Sequence, residues 1–149
     1  MARLFVVGIF LLSTSSASSA HADEKLCMVV HPGNPNADIS LKQVADLFAR
    51  ESEFFPDGNR AEPVDLSFEL APTELFYKTV LGKNLSQLRR FRAKVLFEKN
   101  LQPPRQMESV DKLIAFVAQT PDAIGFVPES AIKTASNIKP LTINGHPCW

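Results

Sequence analysis

The chain has 149 residues, of which 16 are basic and 16 are acidic, so its formal net charge at neutral pH is zero. This balance excludes the basic excess of a typical nucleic-acid-binding domain, and no run of like charges forms an acidic or basic tail. The apolar fraction is that of an ordinary globular protein, and the length fits one domain.

The first 22 residues have the organisation of a secretory signal peptide. After a positively charged start, residues 4–12 are apolar, and Ala20-His21-Ala22 forms a small-residue cleavage site. The apolar run is too short to cross a bilayer, which needs about 20 residues. We therefore predict cleavage near Ala22, a single mature domain over residues 23–149, and a periplasmic or secreted location.

The sequence contains two cysteines, Cys27 near the start of the mature domain and Cys148 near the end of the chain. An even number of cysteines in an oxidising compartment favours a disulfide, and two separate thiols are the alternative. Two cysteines and distant histidines lack the spacing of a zinc site. We therefore predict a disulfide between Cys27 and Cys148, and neither a metal nor a cofactor.

The first part of the mature domain predicts a strand, a helix and a second strand. Residues 26–30 are a short apolar run rich in β-formers, followed by a rigid loop of turn residues at 31–35. Ser40 and Gln43 form a capping box that opens the helix. Apolar and polar residues then alternate over residues 64–69, which predicts a strand with one polar face.

The middle of the chain predicts two consecutive helices. Pro72 stands at a suitable first helical position, and Gly82 is a C-cap glycine that ends this helix. Ser86 is the predicted N-cap of the next helix, over residues 87–98. Residues 101–107, which include two consecutive prolines, are predicted to form a loop.

The clearest pattern begins at Ser109, the predicted N-cap of another helix. Apolar residues recur at helical spacing from Val110 to Ala118. Thr120-Pro121 ends the helix, because the residue before a proline is disfavoured in the α conformation. Three further elements are predicted: a buried strand at 123–127, a short helix at 129–136 and a final strand at 138–143.

The alternation of helices and strands predicts the fold class. Helices placed between strands are typical of an α/β domain, here a central mixed sheet of four to five strands flanked by helices. Ligands of such sheets favour the carboxyl ends of strands, near helix N-termini.

Charged residues and histidines are further candidate functional groups. A basic cluster at Arg89, Arg90, Arg92 and Lys94 predicts a solvated helix face, with a docking surface for an acidic partner as the alternative. The sequence contains neither G-x-S-x-G nor H-E-x-x-H, and His31 has no triad context. No enzymatic activity is therefore expected.

The segment from Thr120 to Val127, TPDAIGFV, is similar to the TPGAIGYV segment of the phosphate-binding proteins of ABC transporters. Residues 41–48, followed by Phe55-Pro56-Asp57-Gly58, resemble that family's segment ending in a Pro-Asp-Gly turn. Residues 62–64 match the strand before its anion-binding loop, and residues 138–145 resemble its strand vkalkIdG. The resemblance implies one lobe of the type II periplasmic-binding-protein fold, whose full-length members clamp the ligand between two lobes.

The resemblance also includes a departure. In the family, an Arg and a Ser-Gly-Thr motif stand just before a helix and hold phosphate at its start, where the helix dipole favours an anion. Residues 65–73, DLSFELAPT, contain neither, and Asp65 and Glu69 add negative charge that repels a dianion. The helix start after Pro72 is left for a weaker anion.

Three segments are expected to line a half-cleft at the strand ends: residues 31–34, residues 67–73 and the loop after Val127. The predicted ligand-binding residues are His31, Asn34, Ser67, Thr73 and Glu74. The first hypothesis is a secreted solute-binding-like protein of the phosphate-binding type, which binds phosphate or another small anion weakly and works with a membrane transporter or another periplasmic protein. The alternative is a non-transport accessory or interaction protein that retains the lobe without tight ligand binding. Neither nucleic acid nor membrane insertion is expected.

Overall fold

The computed structural model describes residues 24–149 and shows a mixed α/β fold. The predicted signal peptide, residues 1–22, lies outside the described residues. Among the helices of residues 24–149, none combines the length and the apolar character that a membrane crossing requires. The elements, in chain order, are β1 (Leu26–Val30), β2 (Asp38–Ile39), α1 (Leu41–Phe48), β3 (Glu62–Leu66), α2 (Ala71–Leu81), α3 (Leu85–Lys99), β4 (Arg105–Met107), α4 (Val110–Gln119), β5 (Ala123–Pro128), α5 (Glu129–Ile132) and β6 (Lys139–Ile143).

The strands form one mixed sheet in the order β2-β6-β1-β5-β3-β4. β3 runs parallel to β4 and β5, whereas β1 runs antiparallel to β5 and β6. The predicted α/β class is therefore confirmed. The sheet is larger than the predicted four to five strands, because β2 and β4, with two and three residues, extend its two sides. The prediction of a loop over residues 101–107 is wrong at its end, because residues 105–107 form β4 and pair with β3.

The centre of the sheet is buried on both faces. Every residue of β1 and β5 is buried, as is typical of strands covered by helices on both sides. On one face, α4 packs so closely that a Cβ at Gly125 would lie 2.8 Å from Leu113 Cδ2. On the other face, the ring of Phe76 in α2 stacks on Phe126 with centroids 3.9 Å apart. The helix–strand segment predicted most clearly from sequence therefore forms the middle of the core.

Most helix ends follow their local sequence signals. Three of the predicted signals are confirmed: the capping box at Ser40, the N-cap at Ser109 and the C-cap at Gly82. The predicted N-cap at Ser86 is wrong, because Asn84 forms a capping box with Gln87 and starts α3 two residues earlier. The helix predicted over residues 129–136 is shorter and ends at Ile132.

Strand β3 differs most from its sequence-based prediction. Asp65 is fully buried, so the prediction of a strand with one polar face is wrong. Phe68, which continues the alternation, lies beyond the end of the strand. The alternation did not reveal this burial, because a strand with a buried carboxylate and a strand with a solvent-facing carboxylate have the same sequence pattern. The partner that makes burial of Asp65 possible, Arg92, is distant in the sequence.

The end of the chain is fixed against β1. The predicted disulfide between Cys27 and Cys148 is present, with Cα atoms 4.4 Å apart. Next to it, the main chains of Leu26 and Trp149 exchange two hydrogen bonds of 2.9 and 3.0 Å. Residues 148 and 149 therefore lie beside the start of β1.

Candidate functional site

Every strand except β1 runs in the same direction, so the carboxyl ends of five strands, including β3, β4 and β5, lie at one edge of the sheet. β3 ends at Leu66, β4 at Met107 and β5 at Pro128, and the helices α2, α4 and α5 follow them. Leu26, at the start of the antiparallel strand β1, pairs with Pro128, and Trp149 pairs with Leu26. We call this the helix-start edge. It is the place where open α/β sheets bind ligands.

His31 and Asn34 lie at the opposite edge of the sheet. They follow Val30, which pairs with Ile124 near the start of β5, whereas Ser67 follows the end of β3. The structure therefore does not bring the three predicted segments into one half-cleft. Sequence reasoning grouped them because each follows a strand, but β1 runs in the opposite direction.

The loop that contains His31 and Asn34 is organised by its own hydrogen bonds. Asn34 is buried, its Oδ1 accepts hydrogen bonds from the main-chain and side-chain nitrogens of Asn36, and its carbonyl accepts one from Lys139. His31 Nδ1 accepts the N–H of Gly33 at 3.0 Å. These polar atoms therefore stabilise the loop.

Thr73, Ser67 and Glu74 do lie together at the helix-start edge. Thr73 is fully buried, and its Oγ1 lies 2.7 Å from the carbonyl oxygen of Ser67 and 3.2 Å from that of Leu66. Its hydroxyl hydrogen is therefore donated inward, to the main chain at the end of β3. Thr73 fixes the first turn of α2 in place rather than facing outward from it.

The other two predicted residues are closer to solvent. Ser67 is half-buried, and its Oγ accepts only a long hydrogen bond, 3.4 Å, from the N–H of Glu69. Glu74 is 43% exposed and pairs with Lys78 at 3.2 Å. A carboxylate in the first turn interacts favourably with the positive end of the helix dipole, but it also competes with an external anion for this position.

Helix α2 begins without a side-chain cap. Its N-cap residue is Leu70, whose side chain forms no hydrogen bond, and a proline occupies the first turn. Ala71 is exposed and Pro72 is half-buried. Pro72 has no N–H, and the N–H of the buried Thr73 donates to the carbonyl of Leu70 at 3.0 Å. The exposed part of this turn is therefore Ala71, where the positive end of the helix dipole attracts an anion.

Beneath this helix start lies a buried network of Asp65, Tyr77 and Arg92. Tyr77 donates its hydroxyl hydrogen to Asp65 Oδ1 at 2.6 Å, and Arg92 donates to Asp65 Oδ2 and to the Tyr77 oxygen. The Arg92 guanidinium also lies about 5.0 Å from the ring centroids of Phe68 and Tyr77. The network ties β3, α2 and α3 together.

Burial determines the protonation behaviour of this network. Loss of hydration raises the pKa of Asp65 to about 6, and the Arg92 charge and the Tyr77 hydroxyl only partly offset that rise. Burial and the adjacent carboxylate also raise the pKa of Tyr77 well above its ordinary value. The group is therefore an ion pair with a hydrogen-bonded phenol at neutral pH.

Two sequence-based interpretations change because of this network. Asp65 points into the core beside Arg92, so it does not add free negative charge to the loop. Arg92 is 11% exposed, so the prediction that the basic cluster is entirely a solvated face is wrong for this residue. The spacing of Leu88, Arg92 and Val95 at i, i+4 and i+7 places Arg92 on the inward stripe of α3, which is the signal that sequence reasoning missed.

A shallow pocket lies beside α2 at the helix-start edge. It has a volume of about 330 Å³, and its surface is mainly apolar. Its lining residues are Glu24, Lys25, Leu75, Thr79 and Trp149. Leu75 is 44% exposed, an unusual exposure for a leucine next to the core, and Trp149 is half-buried. This edge therefore offers both an uncapped helix start and an apolar surface.

Within residues 24–149, no group of three or more His, Cys, Asp or Glu side chains has the arrangement of a metal site.

Solved structures with a similar fold include three phosphate receptors. A phosphate ABC transporter substrate-binding protein from Clostridium perfringens, solved with bound phosphate, is 13% identical and has a TM-score of 0.65, over 83% of this chain and 46% of its own. PstS from Borrelia burgdorferi is 12% identical with a TM-score of 0.65, over 83% and 48%. An ABC-type phosphate transport receptor from Vibrio cholerae is 11% identical with a TM-score of 0.63, over 85% and 49%.

The chain shares the fold of these phosphate receptors. The resemblance noted in the sequence is thereby confirmed at the level of structure, and the chain spans about half the length of the receptors it matches. No profile of a known protein family matches the sequence. No curated protein matches it either.

Proposed function

We propose that the protein is an exported, non-catalytic accessory or interaction protein, which retains one receptor-like lobe and binds a protein partner at its helix-start edge. The single observation that carries this proposal is the inward orientation of Thr73. The buried hydroxyl donates to the main chain, and Arg92, which lies beside Phe68, is paired with the buried Asp65. Thr73 and Arg92 are therefore engaged within the fold and are not free to bind a phosphate dianion.

The apolar surface beside α2 supports the choice of a protein partner. Leu75 and Trp149 expose apolar area next to the uncapped helix start, and the chain spans only about half of each similar receptor. A partner that covers this surface removes apolar area from water, which is the main favourable term in protein association. The partner is a second copy of the chain, another periplasmic protein or a membrane transporter.

The test is a combined measurement of self-association and partner capture. Analytical ultracentrifugation of the mature chain reports the dimer, and crosslinking from position 75 in periplasm reports another partner. The expected result is a defined complex that Leu75→Asp abolishes while Lys94→Asp, on the outer face of α3, leaves it intact. A monomer at high concentration together with no specific crosslink would contradict the proposal.

A second candidate function is weak anion binding at the same helix start. It is favoured by the absence of a side-chain cap at Leu70 and by the exposure of Ala71. Titration calorimetry with phosphate, sulfate and small carboxylates tests it. Millimolar affinity that increases in Glu74→Gln, which removes the competing carboxylate, would support it, and no heat with any anion would exclude it.

A further inference from the structure

Helix α3 has a basic outer face that the proposed function does not use. From Lys83 to Phe97 the chain contains five basic residues and no acidic one, although its overall formal charge is zero. Exposed residues at positions i, i+4, i+7, i+8 and i+11 of the helix form one stripe: Ser86, Arg90, Ala93, Lys94 and Phe97. Arg89 and Leu96 are exposed beside this stripe, and together these residues are the outer face of α3.

The charges around this helix do not balance. Of the six basic residues between positions 83 and 99, three have carboxylate partners, in the pairs Arg92–Asp65, Lys94–Glu98 and Lys99–Glu51. Among residues 24–149, no carboxylate lies within ion-pair distance of Lys83, Arg89 or Arg90. Six positive minus three negative charges therefore leave an excess of three positive charges.

Two of these arginines are held at the surface without being neutralised. The Arg89 guanidinium lies 5.1 Å from the centroid of the Phe68 ring, a cation–π contact. Arg90 donates a hydrogen bond of 3.0 Å to the Ser86 hydroxyl oxygen. Because neither contact involves a carboxylate, both guanidinium groups keep their positive charge toward solvent.

An aromatic ring projects from the same face. Phe97 is 91% exposed, compared with 57% for Phe54 and 44% for Leu75, so its ring contacts little of the fold. Leu96, beside it, is 39% exposed. Exposed aromatic and aliphatic side chains next to Lys and Arg are typical of helices that lie in the headgroup region of a membrane, parallel to its surface.

The shape of this face fits a bilayer better than a protein partner. A partner protein would need a pocket for the Phe97 ring and acidic groups at matching positions. The headgroup layer of an anionic bilayer accepts positive charges and an aromatic ring without such a match. Because the whole chain is neutral, the rest of it carries a negative excess, and an anionic surface would orient the molecule with the outer face of α3 toward it.

We propose that the outer face of α3 is a peripheral docking surface for anionic phospholipid headgroups. Arg89, Arg90 and Lys94 bind the lipid phosphates, and the Phe97 ring enters the headgroup layer. The contact holds the chain on a membrane without spanning it. It uses the charges of α3 and is independent of any partner at the helix-start edge.

The test is cosedimentation of the mature chain with vesicles of phosphatidylcholine that contain increasing fractions of phosphatidylglycerol. Binding is expected only with phosphatidylglycerol, and it is expected to weaken with added salt because exposed charges are screened. Absence of binding to the anionic vesicles at low salt would overturn the proposal. Equal binding to pure phosphatidylcholine vesicles would also overturn it.

Charge reversal locates the contact on the molecule. Arg90→Glu changes the charge by two, and at about fivefold per charge the affinity for anionic vesicles is expected to fall roughly thirtyfold. Lys112→Glu is the matched control, since Lys112 is exposed on α4, which packs on the other face of the sheet from α2. This variant has the same change in net charge and is expected to bind nearly as the wild type does. Equal losses in the two variants would refute a site on α3.

Replacement of the aromatic ring separates lipid from an acidic protein. Phe97→Ser is expected to weaken vesicle binding roughly tenfold through loss of apolar burial, whereas Phe54→Ser, outside α3, is expected to have little effect. Unchanged binding in Phe97→Ser, or tighter binding to polyglutamate than to the vesicles, would contradict the lipid assignment.

A third substitution distinguishes this proposal from the function proposed for the helix-start edge. Leu75→Asp removes the apolar surface beside α2 and is expected to bind anionic vesicles as the wild type does. A loss in Leu75→Asp as large as that in Arg90→Glu would show that the contact does not lie on α3.

Discussion

Helices α2 and α4 begin at the same edge of the sheet, after adjacent parallel strands, but they begin in different ways. The start of α4 is capped by Ser109, whose Oγ accepts the N–H of Lys112 at 3.2 Å. The start of α2 has no such cap, because Leu70 occupies the N-cap position. A side chain therefore satisfies one N–H group at the start of α4, whereas no side chain does so at the start of α2.

The two helices are also held in place by different means. α4 is held by its apolar stripe against β5. α2 is held from beneath by the Thr73 hydroxyl and by the Asp65–Tyr77–Arg92 network. The difference teaches that a helix without a cap can be positioned by buried polar groups. Removing those groups should disturb α2 far more than removing the cap disturbs α4.

The largest effect is expected for Arg92→Met. The substitution leaves Asp65 buried without its cation, and breaking a buried pair in this way costs about 3–5 kcal/mol. Chemical denaturation measures the loss. Arg90→Met is the matched control on the same helix, since Arg90 is exposed and bonds only to Ser86, and it is expected to change stability by less than about 0.5 kcal/mol. Equal losses in the two variants would show that the network does not stabilise the fold.

The next effect is a pH dependence that belongs to Asp65. Its pKa is about 6 in the folded state and 3.8 in a free side chain, so the folded state binds more protons in this interval. Asp65 therefore adds on the order of 3 kcal/mol to the free energy of unfolding below pH 3.8. This contribution is lost as the pH rises through about 6. Comparison of the wild type with Asp65→Asn isolates this slope.

Other carboxylates do not disturb that comparison. Hydrogen bonds lower the pKa of the exposed Asp38 and Asp57, which gives the opposite slope in both proteins and cancels in the difference. A flat difference between the two stability curves from pH 4 to 6 would mean that Asp65 titrates as it does in water.

A smaller effect is expected for Thr73→Val, which keeps the side-chain shape and removes the hydroxyl. The carbonyls of Ser67 and Leu66 lose a buried donor, at a cost of about 1–2 kcal/mol. Thr79→Val on the exposed face of the same helix is the control, because the Thr79 hydroxyl bonds only to the carbonyl of Leu75. If the two variants are equally stable, Thr73 does not anchor the helix.

The smallest effect concerns α4. Ser109→Ala removes the N-cap, and losses of this kind are typically about 1 kcal/mol. Hydrogen exchange should increase in the first turn of α4 and stay unchanged in α2. Increased exchange in both helices would show that their N-termini are coupled across the edge.

Local patterns predicted the parts of the fold that local forces determine. The apolar run of β1, the capping box at Ser40 and the helix–strand segment from Ser109 to Pro128 all formed as expected. The short strands β2 and β4 were missed because pairing with β6 and β3 creates them, and neither has a pattern of its own.

The candidate site was harder to predict than the fold. The sequence indicated the helix start near Pro72, but it could not show that His31 lies at the other edge, because that depends on strand direction. It also could not show that Asp65 and Arg92, 27 residues apart, meet in the core. Contacts between distant residues decide both points.

The pairing of Trp149 with Leu26 has a practical consequence. A peptide joined after Trp149 leaves the molecule beside Leu75, and so does one joined before Lys25. An affinity tag or fluorescent fusion at either position would compete with a partner for the surface it is meant to report. A label on the exposed outer face of α3, at Phe97 for example, leaves that surface open.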